Sequence, residues 1–100
     1  MLTSFTVSNM VLGVKEIFFF PGSHAKFEGH FIMNSNDPEL ILMTNEIKQA
    51  TSSIPNYQLL LKVKDRESYE MTDCLIHRFE EDGPEYTKCY FYCNDIERIE

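Results

Sequence analysis

Three histidines are the side chains of this sequence best suited to acid–base chemistry near neutral pH. We expect His24 in an exposed loop and His77 on the face of a strand, where packing is a simpler role than metal binding. His30 has a more distinctive setting, since residues 27–31 read Phe-Glu-Gly-His-Phe and come shortly before an apolar helix. One interpretation is a turn at Gly29 capped by His30; the other is a catalytic histidine.

Three cysteines, Cys74, Cys89 and Cys93, complete the set of reactive candidates. They contain no Cys-x-x-Cys pair, so we expect no metal site, and the sequence suggests no cofactor. Cys89 and Cys93 on one strand would lie too far apart for a disulfide. An odd number of cysteines without an export signal indicates reduced thiols in the cytoplasm.

The formal charge of −7 limits the classes of partner. The nine basic residues are scattered, which argues against nucleic acid or an anionic membrane surface. The apolar runs are too short to span a bilayer, and residues 1–12 lack the features of a signal peptide. The acidity also leaves open an interaction domain that meets a basic partner, such as an inhibitor of a nucleic-acid enzyme.

A helix starting at Asp37-Pro38 is the clearest predicted element. Asp37 is a good N-cap, Pro38 suits the first helical position, and Glu39 is favourable near the positive end of the helix dipole. An apolar stripe follows at helical spacing, widened in the first turns, and it consists of Leu40, Ile41, Leu42, Met43, Ile47 and Ala50. Ser52, Ser53 and Pro55 end a helix of about 16 residues. We expect more than one neighbour to bury it.

Strands are predicted on both sides of this helix, at residues 3–8, 14–20, 57–63, 74–79 and 86–93. Gly13 is predicted as a break, and Pro21-Gly22 as a turn. The last two strands should form a hairpin, because Asp82-Gly83-Pro84 between them is a strong turn signal. The order predicts one α+β domain over residues 1–100, with one antiparallel sheet wrapped around one central helix.

The sequence spacing between His30 and the predicted helix resembles that of a known family. Gly29-His30-Phe31, six further residues, Pro38, an apolar helix and then Gln49-Ala50 resemble the centre of the hot-dog 3-hydroxyacyl-acyl-carrier-protein dehydratases. The similarity covers residues 17–51, about a third of the chain. The resemblance implies a hot-dog fold, in which a sheet wraps one helix, and a homodimer whose sheets join edge to edge.

The resemblance also implies a chemistry, that of a lyase of fatty acid or polyketide biosynthesis. Such an enzyme dehydrates a 3-hydroxyacyl thioester carried by acyl carrier protein or coenzyme A. His30 would be the base, and substrate-binding positions would be Gly29, Phe31, Pro38 and Glu39. In the family the acid lies on the helix of the partner subunit; its position here is Thr44, and Glu46 is the nearest acid. His30→Ala is then expected to abolish hydration of an enoyl thioester without unfolding the chain.

The sequence departs from the family in ways that keep two alternatives open. Ile32-Met33 replaces Pro-Gly, Glu39 replaces a glycine, and Thr44 stands in place of the acid. A hot-dog binding module without catalysis would bind the thioester but not turn it over. An unrelated acidic interaction or inhibitor domain would instead place its acids on one face.

Overall fold

A computed structural model describes residues 7–23, 25–50 and 56–99, and within them the chain forms one sheet of seven strands and one helix. The elements are β1 (Val7–Val14), β2 (Glu16–Pro21), β3 (Phe27–Asn34), α1 (Pro38–Gln49), β4 (Asn56–Val63), β5 (Ser68–Asp82), β6 (Tyr86–Cys93) and β7 (Asp95–Ile99). The strand order is β1-β4-β5-β6-β3-β2, and β7 pairs with β5. β1 and β4 are parallel, while the other pairs are antiparallel.

The sheet divides into two halves in the middle of the long strand β5. Residues 68–71 and Cys74 of β5 pair with β4, residues 68–72 pair with β7, and residues 75–82 pair with β6. Asp73, close to this change of partner, has a left-handed backbone conformation with φ 52°, and Asn94 donates from Nδ2 to Asp73 Oδ2 at 3.1 Å. The first half is thus β1, β4, the start of β5 and β7; the second half is β2, β3, β6 and the end of β5.

Inward-facing residues of both halves form the core. Phe19 of β2 meets Tyr69 of β5 edge to face at 5.8 Å, so side chains of the two halves are in contact. The fully buried side chains come mainly from strands and include Leu12, Phe31, Met33, Tyr57, Leu59, Leu61, Met71, Cys74, Ile76, Cys89 and Phe91. The helix adds only Leu40 and Met43 to this core. The apolar area that stabilises the fold therefore lies chiefly between strands.

The predicted hot-dog architecture is wrong. The sheet is mixed rather than antiparallel, since β1 runs parallel to β4. The sheet does not enclose the helix either, because Ile41 and Leu42 remain 50% and 52% exposed. The two halves of the sheet bury one another, so α1 needs to bury only a narrow stripe. An apolar first turn thus did not require a neighbour on every side.

The predicted start of the helix is confirmed at the atomic level. Asp37 is the N-cap, its Oδ1 accepts the backbone N–H of Glu39 at 3.0 Å, and Pro38 is the first helical residue. The helix ends at Gln49, where the backbone N–H of Ala50 donates to the carbonyl oxygen of Ile47 at 3.3 Å. The helix thus has 12 residues instead of the predicted 16 or so, and the predicted end at Ser52, Ser53 and Pro55 lies outside the described residues.

The strands around residue 15 differ from the prediction. Gly13 lies inside β1 instead of breaking it, and Lys15 interrupts the strand expected over residues 14–20. The Lys15 N–H donates to the Ile32 carbonyl at 2.7 Å, and the Lys64 N–H donates to the Val14 carbonyl at 3.1 Å. The chain thus changes from the first half of the sheet to the second at Lys15. Of the strand predicted at residues 3–8, residues 3–6 lie outside the described residues.

The later strands are largely as predicted. β4 and β6 match their predicted ranges closely, and Gly83 at φ 77° occupies the turn between β5 and β6. β5 begins six residues earlier than residue 74, and β7 was not predicted. Among the described residues, no helix is long and apolar enough to cross a membrane.

Candidate functional site

His30 lies in the middle of β3, on the outward face of the second half of the sheet. Its ring sits between Phe18 on β2, at 5.1 Å, and Tyr90 on β6, at 5.3 Å between ring centroids. Both neighbours are its Cα partners across the strands. Loss of hydration between these rings, followed by the nearby charge of Lys88, lowers the pKa of His30 below its usual 6.5. The imidazole is therefore neutral at physiological pH.

The two residues beside His30 have packing roles. A Cβ on Gly29 would overlap the carbonyl oxygen of Phe18 and lie 2.7 Å from the Cα of Phe19, so the backbone of β2 leaves room only for hydrogen. Phe31 is fully buried and stacks on Phe91 at 5.9 Å. The motif that predicted a loop is therefore a strand, whose alternation places Gly29 and Phe31 inward and His30 outward.

The predicted helix residues are also engaged in contacts that hold the fold together. The Thr44 hydroxyl donates to the Leu40 carbonyl at 2.8 Å within the helix. Glu46 Oε1 accepts the hydroxyl of Tyr57, on β4, at 2.8 Å. Burial and this bond raise the pKa of Tyr57 well above its usual value, so the phenol stays protonated. Glu46 thereby ties the helix to the sheet.

The predicted site residues fall into three places rather than one. His30 faces outward from the second half of the sheet, Phe31 faces the core, and Pro38, Glu39, Thr44 and Glu46 belong to α1. Thr44 lines a groove between α1 and the β5–β6 hairpin, and His30 is not among the lining residues. Within one chain, the predicted base and the residue at the expected acid position therefore line no common groove, and their pairing between two subunits stays a prediction.

The cysteines provide no reactive group on the surface. Cys74, Cys89 and Cys93 are free and buried, and burial raises the pKa of Cys89 and of Cys93 to about 12. Their thiols are therefore protonated at neutral pH and weakly nucleophilic. Within the described part of the chain, no group of three or more His, Cys, Asp or Glu side chains is placed to hold a metal ion.

A surface that the sequence did not predict is the free edge of β2. Among residues 7–23, 25–50 and 56–99, this strand ends the strand order, and its only strand partner is β3. Phe18, Phe19 and Phe20 in it are 52%, 39% and 55% exposed, and we call this surface the phenylalanine edge. Such a run of apolar residues is typical of a strand covered on both faces, but an edge strand can have the same sequence.

Beyond the phenylalanine edge, aromatic side chains continue across the outward face of the second half. The Arg78 guanidinium lies over the Tyr90 ring at 4.0 Å, and the Tyr90 hydroxyl donates to Glu80 Oε1 at 3.0 Å. His77 stacks on Tyr92 at 4.2 Å. These rings contact one another. Phe18, at the end of this row, contacts His30 but remains 52% exposed, whereas Phe19 lies on the opposite face of β2.

No protein-family model, no curated protein and no solved structure matches the chain. Membership of the dehydratase family thus stays a prediction from the motif at residues 27–31 and its spacing to Pro38.

Proposed function

We propose that this chain is a protein-interaction domain that forms a homodimer through the phenylalanine edge. The observation that carries this proposal is the exposure of Phe18, Phe19 and Phe20, which lies between 39% and 55% on consecutive residues of one edge strand. A row of unpaired backbone groups beside three large apolar side chains is a template for another strand. Covering them removes apolar surface from water and pairs outward backbone groups of β2, except at Pro21, which has no N–H.

The phenylalanine edge has few of the devices that keep edge strands apart. Edges that must stay single usually carry lysines, bulges or central prolines. β2 instead has one charged residue, Glu16, at its start and one proline, Pro21, at its end, with four apolar residues between them. Its pairing with β3 also runs without a bulge from Glu16 to Pro21.

A second copy of this chain is the occupant that the edge fits best. If two β2 strands pair antiparallel about a twofold axis with Phe19 opposite itself, each Phe18 faces the Phe20 of the other copy. The same register sets Glu16 opposite Gly22, so the two carboxylates stay apart. Three half-exposed phenylalanines contribute about 300 Å² per copy. A standard interface buries about 800 Å² per partner, so we expect a dissociation constant above about 1 μM.

Sedimentation velocity over a concentration series tests the dimer. We expect a shift from monomer to dimer between about 5 and 500 μM, the range that brackets such a dissociation constant. Phe20→Lys should remain monomeric, because an edge lysine must be desolvated in the pair. Val11→Lys is the matched control, since Val11 is 56% exposed on β1, at the opposite end of the strand order. A wild-type monomer throughout, or a dimer lost only in Val11→Lys, would refute the proposal.

The thioester dehydratase and the thioester-binding module stay predictions supported by the motif around His30 alone. Their direct assay is hydration of an enoyl thioester by wild type and His30→Ala. The homodimer proposal does not require His30, Thr44 and Glu46 to lie together, and the acidic inhibitor domain likewise stays a prediction.

A further inference from the structure

A groove of about 330 Å³ lies between the start of α1 and the β5–β6 hairpin. Leu40 and Phe79, both packed against the core, are among its apolar lining residues. Ile41, 50% exposed, also lines the groove, and Leu42, 52% exposed, follows it on the helix. The volume suits one large apolar side chain, with further apolar surface beside it.

The hydroxyl groups that line the groove already have partners, and the remaining uncharged polar lining residue, Asn45, is exposed on the helix. The Ser35 and Thr87 hydroxyls are hydrogen-bonded to each other at 2.8 Å, and the Thr44 hydroxyl is bonded to the Leu40 carbonyl. A ligand in the groove therefore gains little from polar groups directed at these hydroxyls. An apolar group gains by leaving water, so the groove favours an apolar anchor.

The charges that line the groove have one sign. Glu80 and Glu81 are the charged lining residues, and no basic residue lines it. The charge of Glu80 is partly compensated, because its Oε1 accepts a hydrogen bond from the Tyr90 hydroxyl and its Oε2 lies 3.8 Å from Arg78 Nη2. The Glu81 side chain makes no ion pair or hydrogen bond within the part of the chain that the structure describes, and Asp82 follows it in the hairpin.

We propose that this groove binds a basic amphipathic segment of a partner protein. One apolar side chain of the segment enters between Ile41 and Phe79, and a lysine or arginine of the same segment meets Glu81. Acyl thioesters of coenzyme A and nucleic acids fit less well, because their phosphates would approach the acids at the rim. The groove contains no residue of β2, so this site is independent of the proposed dimer.

Fluorescence anisotropy with two labelled peptides tests the groove. Both peptides are about 15 residues long, long enough for a few helical turns, with leucines at the same helical positions. The remaining positions are lysine in one peptide and glutamate in the other. We expect the full chain to bind the lysine peptide only. Glu81→Lys should weaken binding about tenfold, and Ile41→Ser about fivefold.

Two control variants separate the groove from general effects. Glu97→Lys reverses an exposed charge on β7, and Val11→Ser removes an exposed apolar side chain on β1; each should change binding less than about twofold. Phe20→Lys should bind the lysine peptide as well as wild type does, whatever its sedimentation shows. Equal binding of both peptides, equal losses in Glu81→Lys and Glu97→Lys, or no binding at all would overturn the groove assignment.

Discussion

Gly29 faces the backbone of β2 at a distance that leaves no space for a side chain. An added Cβ would meet main-chain atoms of Phe18 and Phe19, and main-chain atoms in a paired strand cannot move aside as a flexible side chain can. Gly13 offers the opposite case in β1, where a Cβ would find no atom within 4 Å. The two glycines therefore differ in environment although both lie in strands.

We predict that Gly29→Ala destabilises the fold by about 1–3 kcal/mol or more, the usual range for forced overpacking. Gly13→Ala is the matched control and should change the free energy of unfolding by less than about 1 kcal/mol, since its only effects are on backbone freedom. Urea unfolding of the two variants measures the difference. Equal stability of Gly29→Ala and Gly13→Ala would contradict the close approach of β2 to Gly29.

His30 couples the stability of the fold to pH. Its pKa is lowered in the folded chain by loss of hydration and by Lys88, so the unfolded chain takes up the proton more readily. The free energy of unfolding should therefore fall as the pH drops below the unfolded pKa of about 6.5, until the lower folded pKa is reached. The aromatic neighbours that cause the shift, Phe18 and Tyr90, belong to the same outward face.

His30→Gln isolates this effect, because His24, His77 and the acidic residues stay in both proteins. Urea unfolding at several pH values between about 7.5 and 5 should show wild type losing stability relative to the variant on acidification. Above about pH 7.5 the difference in the free energy of unfolding between the two proteins should be constant. If wild type instead gained stability relative to His30→Gln at low pH, the pKa of His30 would be raised in the folded chain and not lowered.

At the scale of elements, a partly buried hydrogen bond connects the helix to the sheet. The Tyr57 ring is fully buried in β4, and its hydroxyl donates to Glu46 in the third turn of α1. Tyr69 makes a similar bond, at 2.9 Å, but to Glu67 only two residues away. The first bond joins distant parts of the chain, and the second joins neighbours.

Tyr57→Phe should therefore cost about 1 kcal/mol, the typical contribution of one hydrogen bond. Tyr69→Phe is the control and should cost less, because its partner is local and both groups reach water more easily. Native-state hydrogen exchange should show faster exchange of α1 amides in Tyr57→Phe, with the sheet little changed. Unchanged protection of α1 would show that Leu40 and Met43 alone hold the helix.

Local signals predicted the elements that depend on few residues. The Asp37-Pro38 helix start, β4, and the turn at Gly83 follow from capping, β propensity and turn chemistry. β3 was missed because Gly29 and His30 suggested a loop, although Phe27, Gly29, Phe31 and Met33 alternate with polar or outward residues at the period of a strand. The change of partner at Lys15 depends on β4, which lies more than 40 residues away, and no local pattern encodes it.

At the scale of the whole molecule, side-chain type alone did not locate the surfaces. A strand that contains Phe18, Phe19 and Phe20 has the same sequence whether it lies inside a sheet or at its edge. The helix residues Ile41 and Leu42 were likewise compatible with burial, until the mutual burial of the two sheet halves left them half exposed. Position in the strand order, which arises from long-range pairing, decides between these outcomes.

The central claim is that two copies pair through β2. Isotope-filtered NMR on a mixture of labelled and unlabelled chains, at a concentration above the dissociation constant, observes contacts between copies directly. We predict intermolecular contacts between Phe18 of one copy and Phe20 of the other, and between the two Phe19 rings. Contacts confined to Val11 on β1, or no intermolecular contact at a concentration where sedimentation shows a dimer, would contradict pairing through the phenylalanine edge.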